Sequence, residues 1–278
     1  MEAAEVAAAL LSALLHAGWN AAIKASARPT AAMAAQMLAS ALLAVPGLLW
    51  SGLPGTASWL WIGASTAMNL IAVSALLRAY ELAGFGIVYP VVRAVSVLLV
   101  VPLAAGLAGD RLGPLALVGV VLIAAALALL AHGARRDRVF TLHALAWTAI
   151  AGLATATYVI CDARGVRLAG TPWAYGFAVS IANSIVMSAR HRRIGTPWHL
   201  LRANATVAGP AALAAVTSYL LILWVWARSP IAPASALRDT SAVFAILIAV
   251  GWLREPFTPS RILAVLMAAA AVPLLRLA

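Results

Sequence analysis

Apolar residues fill this chain in ten long stretches, at 4–24, 30–50, 58–79, 86–108, 114–133, 142–162, 173–190, 204–227, 231–253 and 259–276. Each is close to the ~20 residues a helix needs to cross the hydrocarbon of a bilayer. They are too long for barrel strands, and a helix satisfies its own backbone hydrogen bonds in lipid. The pattern predicts an all-α polytopic membrane protein with ten transmembrane helices and short loops. Glycine and proline combine with charge at the breaks "SGLPGTAS" (51–58), "GDRLGP" (109–114) and "REPFTPS" (254–260). Trp50, Trp59, Trp61, Trp173, Trp198, Trp224, Trp226 and Trp252 fall at expected helix ends, as an interfacial belt does, while Trp19 and Trp147 lie deeper.

Composition narrows the class. The chain is 64% hydrophobic and 10% charged, with a mean hydropathy of +0.99, against about a quarter charged in soluble domains. The acidic start "MEAAEV" is unlike a secretory signal, so the first helix is expected to be retained. A single cysteine, Cys161, rules out an intrachain disulfide and is expected to be buried. The net charge of +11 is spread over inter-helix loops, which suits anionic lipid rather than nucleic acid.

The polar residues inside the apolar runs carry the rest. "VYPVVRAVS" (88–96) and "PASALRDTS" (233–241) each hold an arginine and, three residues on, a serine. A shift of 145 residues places Arg93 on Arg238, Ser96 on Ser241, Gly106 on Gly251, Asp110 on Glu255 and Pro114 on Pro259. A shift of 138 places Asn20 on Tyr158 and Lys24 on Asp162. The chain therefore reads as two repeats, 1–138 and 139–278. Five helices per repeat is odd, so the second repeat enters the membrane from the other side, and in transporters such inverted halves enclose a central site.

Each arginine lies about seven residues into its helix, ~10 Å below a surface, and the inversion puts the two below opposite surfaces. Arg93, Ser96, Arg238 and Ser241 are the expected gates. Asp162 is the expected partner of Arg238 and Glu81 that of Arg93. Asp239 is a weaker partner for Arg238, because adjacent helical residues point about 100° apart. Snorkelling to the headgroups is the simpler account of either arginine alone. Ser12, His16, Asn20 and Lys24 form a stripe on the first helix. His16, Trp19, Asn20, Asn69, Tyr80, Tyr158, Tyr219 and Trp224 are the candidate cavity residues. Thr66, Thr148 and Thr155 read as interhelical hydrogen-bond glue. No carboxylate occupies a clear midplane position. His16 is the only histidine near a helix midpoint, so proton coupling, exchange and facilitation all remain open.

The segments "ALLRAYELAGFGIVYPVVRAVSVLLVVPLAAGLAGDRL" and "SYLLILWVWARSPIAPASALRDTSAVFAILIAVGWLREPF" resemble the two halves of an EamA-type carrier of the drug/metabolite transporter superfamily. In that family a small residue, an acid and a basic or proline residue close the fourth helix of each half, as "GDR" (109–111) and "REP" (254–256) do here. The chain departs from the family at Val97 and Ala242, where a proline is common, and at Asp110, where a glutamate is. The pattern is most similar to amino acid exporters of the YddG type. The resemblance implies a secondary transporter in the bacterial inner membrane that exports small metabolites, amino acids foremost. It implies alternating access, a zwitterionic small-molecule substrate, no cofactor or metal, and a monomer as a sufficient unit. A drug, nucleoside or lipid-linked-sugar carrier is the alternative.

A membrane enzyme is the rival class. The chain has no His-Glu-x-x-His, Gly-x-Ser-x-Gly or phosphate-loop motif. For orientation, twelve Lys and Arg fall on the face that carries loops such as "GARRDRV" and "SARHRRI", and five on the face with both termini; Arg93 and Arg238 complete the nineteen. The positive-inside bias then places both termini outside, whereas the family resemblance implies cytoplasmic termini.

Overall fold

The structure is a computed structural model, and it describes all residues except 105, 107–112, 137–140, 255–257 and 278. All regular structure among the described residues is helical: α1 (Ala3–Ala25), α2 (Pro29–Ser51), α3 (Trp59–Leu82), α4 (Phe85–Leu103), α5 (Pro114–Arg136), α6 (Leu142–Leu168), α7 (Pro172–His191), α8 (Pro197–Ala203), α9 (Ala205–Trp226), α10 (Ile231–Asp239), α11 (Ser241–Gly251) and α12 (Pro259–Leu277). Every apolar stretch expected from the sequence coincides with one or two of them.

Local chemistry sets the ends. Thr141, Thr171 and Thr196 cap α6, α7 and α8 by accepting from the backbone N–H three residues on. Proline stands in the first turn of α2, α7 and α8, where its missing N–H costs nothing. The acidic N-terminus is a cap as well: Glu2 and Glu5 form a capping box on α1.

Two elements differ from expectation. The short α8 precedes the eighth apolar stretch. The ninth stretch, expected as one helix over 231–253, is broken at Thr240 into α10 and α11. Thr240 turns its hydroxyl back to the Leu237 carbonyl at 2.6 Å, a local bond that competes with the helical ladder and bends it. Such a break is tolerated at membrane depth when it is covered by protein. Asp239, Thr240 and Ser241 are all buried here.

Among the described residues, six spans are long and apolar enough to cross a membrane: Ala3–Ala25, Pro29–Ser51, Thr56–Leu82, Leu142–Leu168, Ala205–Trp226 and Ile231–Gly251. The outer surface carries Leu49, Leu60, Trp50 and Leu142, each at least three-quarters exposed. Large exposed apolar surface of this extent suits lipid rather than water. The chain is a multi-pass, all-helical membrane protein.

Small residues let the helices approach closely. A Cβ on Gly152 of α6 would stand 2.6 Å from the Val95 Cβ of α4. One on Gly47 of α2 would overlap the Phe177 ring of α7. The strongest packing is α3 on α6, α1 on α9, α2 on α7, α5 on α12 and α4 on α6. α1 also packs on α10 and α11, α3 on α7, and α2 on α9. At the α1–α9 seam, Ser12 and Ser218 each donate a hydroxyl to the other's carbonyl, at 2.7 and 2.8 Å.

Candidate functional site: a cavity around two arginines

A cavity of about 130 Å³ lies at the middle of this packing. One water needs only ~10–15 Å³ by the same kind of measure, so a small solute has room. α1 contributes His16, Trp19 and Asn20 to the wall, α2 Gln36 and Ser40, α3 Ser65 and Asn69, and α4 Tyr89 and Arg93. From the other side α6 contributes Thr155, Tyr158 and Asp162, α7 Ser180 and Asn183, α9 Tyr219, and α10 Arg238.

The two arginines do not stand at separate gates below opposite surfaces. Both meet at His16. Arg93 Nη2 makes a close contact with His16 Nε2, and Arg238 Nη2 lies 3.5 Å from His16 Nδ1. α10 packs on both α1 and α4, and the length of the arginine side chain brings both guanidinium groups to one imidazole. His16 is held in turn: Trp19 packs edge-on at 5.1 Å between ring centroids, and the next turn of α1 is pinned by Asn20, whose Nδ2 donates to the His16 carbonyl at 2.9 Å.

Arg93 is held on its other side as well, although its Nε has no hydrogen-bond partner. Its Nη1 donates to Asp239 Oδ1 at 3.1 Å, an ion pair with both side chains buried. Its guanidinium also lies 5.1 Å from the Tyr89 ring centre, and Tyr89 donates its hydroxyl to Ser241 at 3.1 Å. α4 is therefore joined to α10 by one ion pair and to α11 by one hydroxyl bond. Asp239 points away from its neighbour Arg238, as helical geometry requires, and that turn is what aims it at α4.

Arg238 is different. It is 3% exposed, and neither its Nε nor its Nη1 has a hydrogen-bond partner. Its guanidinium lies 5.4 Å from the centre of the Trp226 ring. Trp226, expected in the interfacial belt, is wholly buried and donates to Ser235 at 3.1 Å.

The expected partners of the arginines are elsewhere. Glu81 lies at the surface and pairs with Arg78, one helical turn away on α3; it does not reach Arg93. Asp162 and Arg238 interact across the cavity without a direct ion pair. Tyr175 donates to its Oδ1 at 3.1 Å, and Ser65 and Tyr219 face the same carboxylate. Gly165 makes this possible, since a Cβ there would overlap the Tyr175 ring. Asp162 lines the same cavity as Arg238, so a carboxylate does reach the centre, contrary to the sequence reading.

Of the other candidates, His16, Trp19, Asn20, Asn69, Tyr158 and Tyr219 line the cavity. Tyr80 does not: it is buried against Phe85, with Lys24 over its ring. Trp224 lies at the end of α9 under Arg228. Ser96 is buried with its hydroxyl unpartnered, and Ser241 is taken by Tyr89. Thr155, expected as glue, lines the cavity, while Thr148 bonds only to Ala144 of its own helix. Cys161 is buried. Asp110, Arg111, Glu255 and Pro256 of the two helix-closing motifs lie outside the described residues.

Comparison with known proteins adds the fold and nothing further. No family model and no curated protein matches the chain. A crystal structure of a protein superposes with a TM-score of 0.74 at 18% identity, over 100% of this chain and 99% of the other.

Proposed function

We propose that this chain is a secondary transporter of the EamA type, exporting small metabolites, amino acids foremost, by alternating access between two inverted five-helix halves, 1–138 and 139–278. The observation that carries the reading is the cavity wall. Four helices of each half line it, α1 to α4 and α6, α7, α9 and α10, while α5 and α12 stand aside. The packing has the same exchange symmetry. α3 on α6 becomes α9 on α1 when the halves are swapped, α4 on α6 becomes α10 and α11 on α1, and α2 on α7 and α5 on α12 map onto themselves. A charged cluster held at such an interface is where inverted-repeat carriers place their site. Buried ionisable groups inside membrane helices otherwise cost too much to be retained without a role.

Counterflow in proteoliposomes tests this. Vesicles loaded with one amino acid are expected to accumulate its labelled form through the reconstituted protein. Because Asp162 lines the cavity, cationic drugs belong in the same panel, beside nucleosides. Amino acid exchange supports the reading, drug exchange alone replaces the substrate class, and no exchange of any solute refutes transport.

Orientation is tested separately. Twelve basic residues against five place the loop-rich basic face in the cytoplasm and both termini outside. A C-terminal reporter active only in the cytoplasm is expected to stay silent. Strong signal would reverse the orientation.

A further inference from the structure

The shift that relates the halves also exposes where they differ. Moving Arg93 onto Arg238 moves Ala94 onto Asp239. The symmetry mate of the Arg93–Asp239 ion pair is therefore Arg238 with Ala94, and Ala94 is a buried methyl with no carboxylate to offer. One arginine has its acid from the protein; the other does not.

No carboxylate among the described residues forms an ion pair with Arg238; Asp162 and Asp239 act on it only from a longer distance. Arg238 Nε and Nη1 have no acceptor. Its Nη2 faces His16 Nδ1, but a neutral imidazole has one N–H and one lone pair, and a guanidinium only donates. His16 therefore accepts from one guanidinium at most, and the nearer of the two is that of Arg93. The Trp226 face attracts the cation without accepting a hydrogen bond. A buried guanidinium with two nitrogens lacking any partner, on the wall of a cavity, is a built anion site. Asp162 lines the same cavity without pairing with Arg238, so a dianionic phosphate is disfavoured and a solute carrying both a carboxylate and an ammonium group is favoured.

Resting on the transporter reading of this cavity, we infer that Arg238 is its carboxylate anchor: the substrate carboxylate stands to Arg238 as Asp239 stands to Arg93, and Asp162 faces the substrate ammonium group.

The test is Ala94→Asp, which builds the missing acid into the protein, with Ala94→Asn as the control of similar size. Purified full-length protein is compared without substrate. Ala94→Asp is expected to melt about 3 °C or more above Ala94→Asn, because it pairs a buried charge. A melting temperature equal to or below that of Ala94→Asn overturns the inference whatever the protein transports. The second arm measures binding of the amino acid that exchanges best in counterflow, alongside its carboxamide. Wild type is expected to bind the carboxamide at least tenfold more weakly, and Ala94→Asp to weaken the amino acid at least tenfold relative to Ala94→Asn. Equal binding of acid and amide, or exchange confined to solutes without a carboxylate, overturns the anchor and leaves transport standing. Absence of any exchange removes the transport reading, and the melting comparison then decides the anchor alone.

Discussion

Arg93→Leu or Asp239→Leu is expected to destabilise the protein by about 3–5 kcal/mol, the usual loss when one member of a buried ion pair is removed. The residue left behind has nowhere to go. Both side chains are buried, so neither charge reaches bulk solvent when its partner is removed. Asp239 without Arg93 would be an unpaired carboxylate inside the bundle, and Arg93 without Asp239 would keep only His16 and the Tyr89 ring. The double variant Arg93→Leu/Asp239→Leu is expected to recover most of the loss, because replacing both charges by apolar groups is often neutral. Unfolding of the purified protein in detergent reads this directly. Singles within about 1 kcal/mol of wild type, a size typical of exposed pairs, would mean that the pair is not buried in the folded protein.

Arg238→Ala is expected to do the opposite. It removes a buried cation with no acceptor, so stability is expected to hold or rise. Transport at subsaturating substrate is expected to fall by roughly 10- to 150-fold, the equivalent of ~1.5–3 kcal/mol for a charge-assisted hydrogen bond. Arg238→Lys is expected to recover part of the rate, since it keeps the charge and loses the planar fork. Two arginines 145 residues apart in similar sequence surroundings would then separate cleanly, one structural and one functional. Uptake at wild-type rate by Arg238→Ala would leave the cavity without its anchor.

Much of this was legible in the sequence. Helix positions followed from the length of the apolar stretches, because lipid imposes a length on every span. The break at Thr240 did not, since a threonine in an apolar run is unremarkable until its hydroxyl finds a carbonyl. Arg93 and Arg238 stood out because charge is scarce, but depth along a helix says nothing of rotation about it, so their meeting on His16 was hidden. Asp239 shows the same limit. The angle that separates it from Arg238 was correct, and the consequence was missed: it turns Asp239 towards α4. Gln36 and Asn183 line the cavity and were overlooked. Gln36 is the only glutamine in the chain, lies inside an apolar stretch, and was the available signal. Glu81 misled because it shares a membrane side with Arg93, while a closer arginine, Arg78, stands one turn away.

Alternation of the cavity is the central claim, and thiol accessibility tests it most directly. Asn69→Cys in a Cys161→Ser background places one thiol on the cavity wall. Sealed vesicles of known orientation are treated with a membrane-impermeant thiol reagent from one side or the other. The account predicts labelling from both sides, slowed from both by a saturating exchanged solute. Labelling from one side alone, with and without that solute, would contradict it.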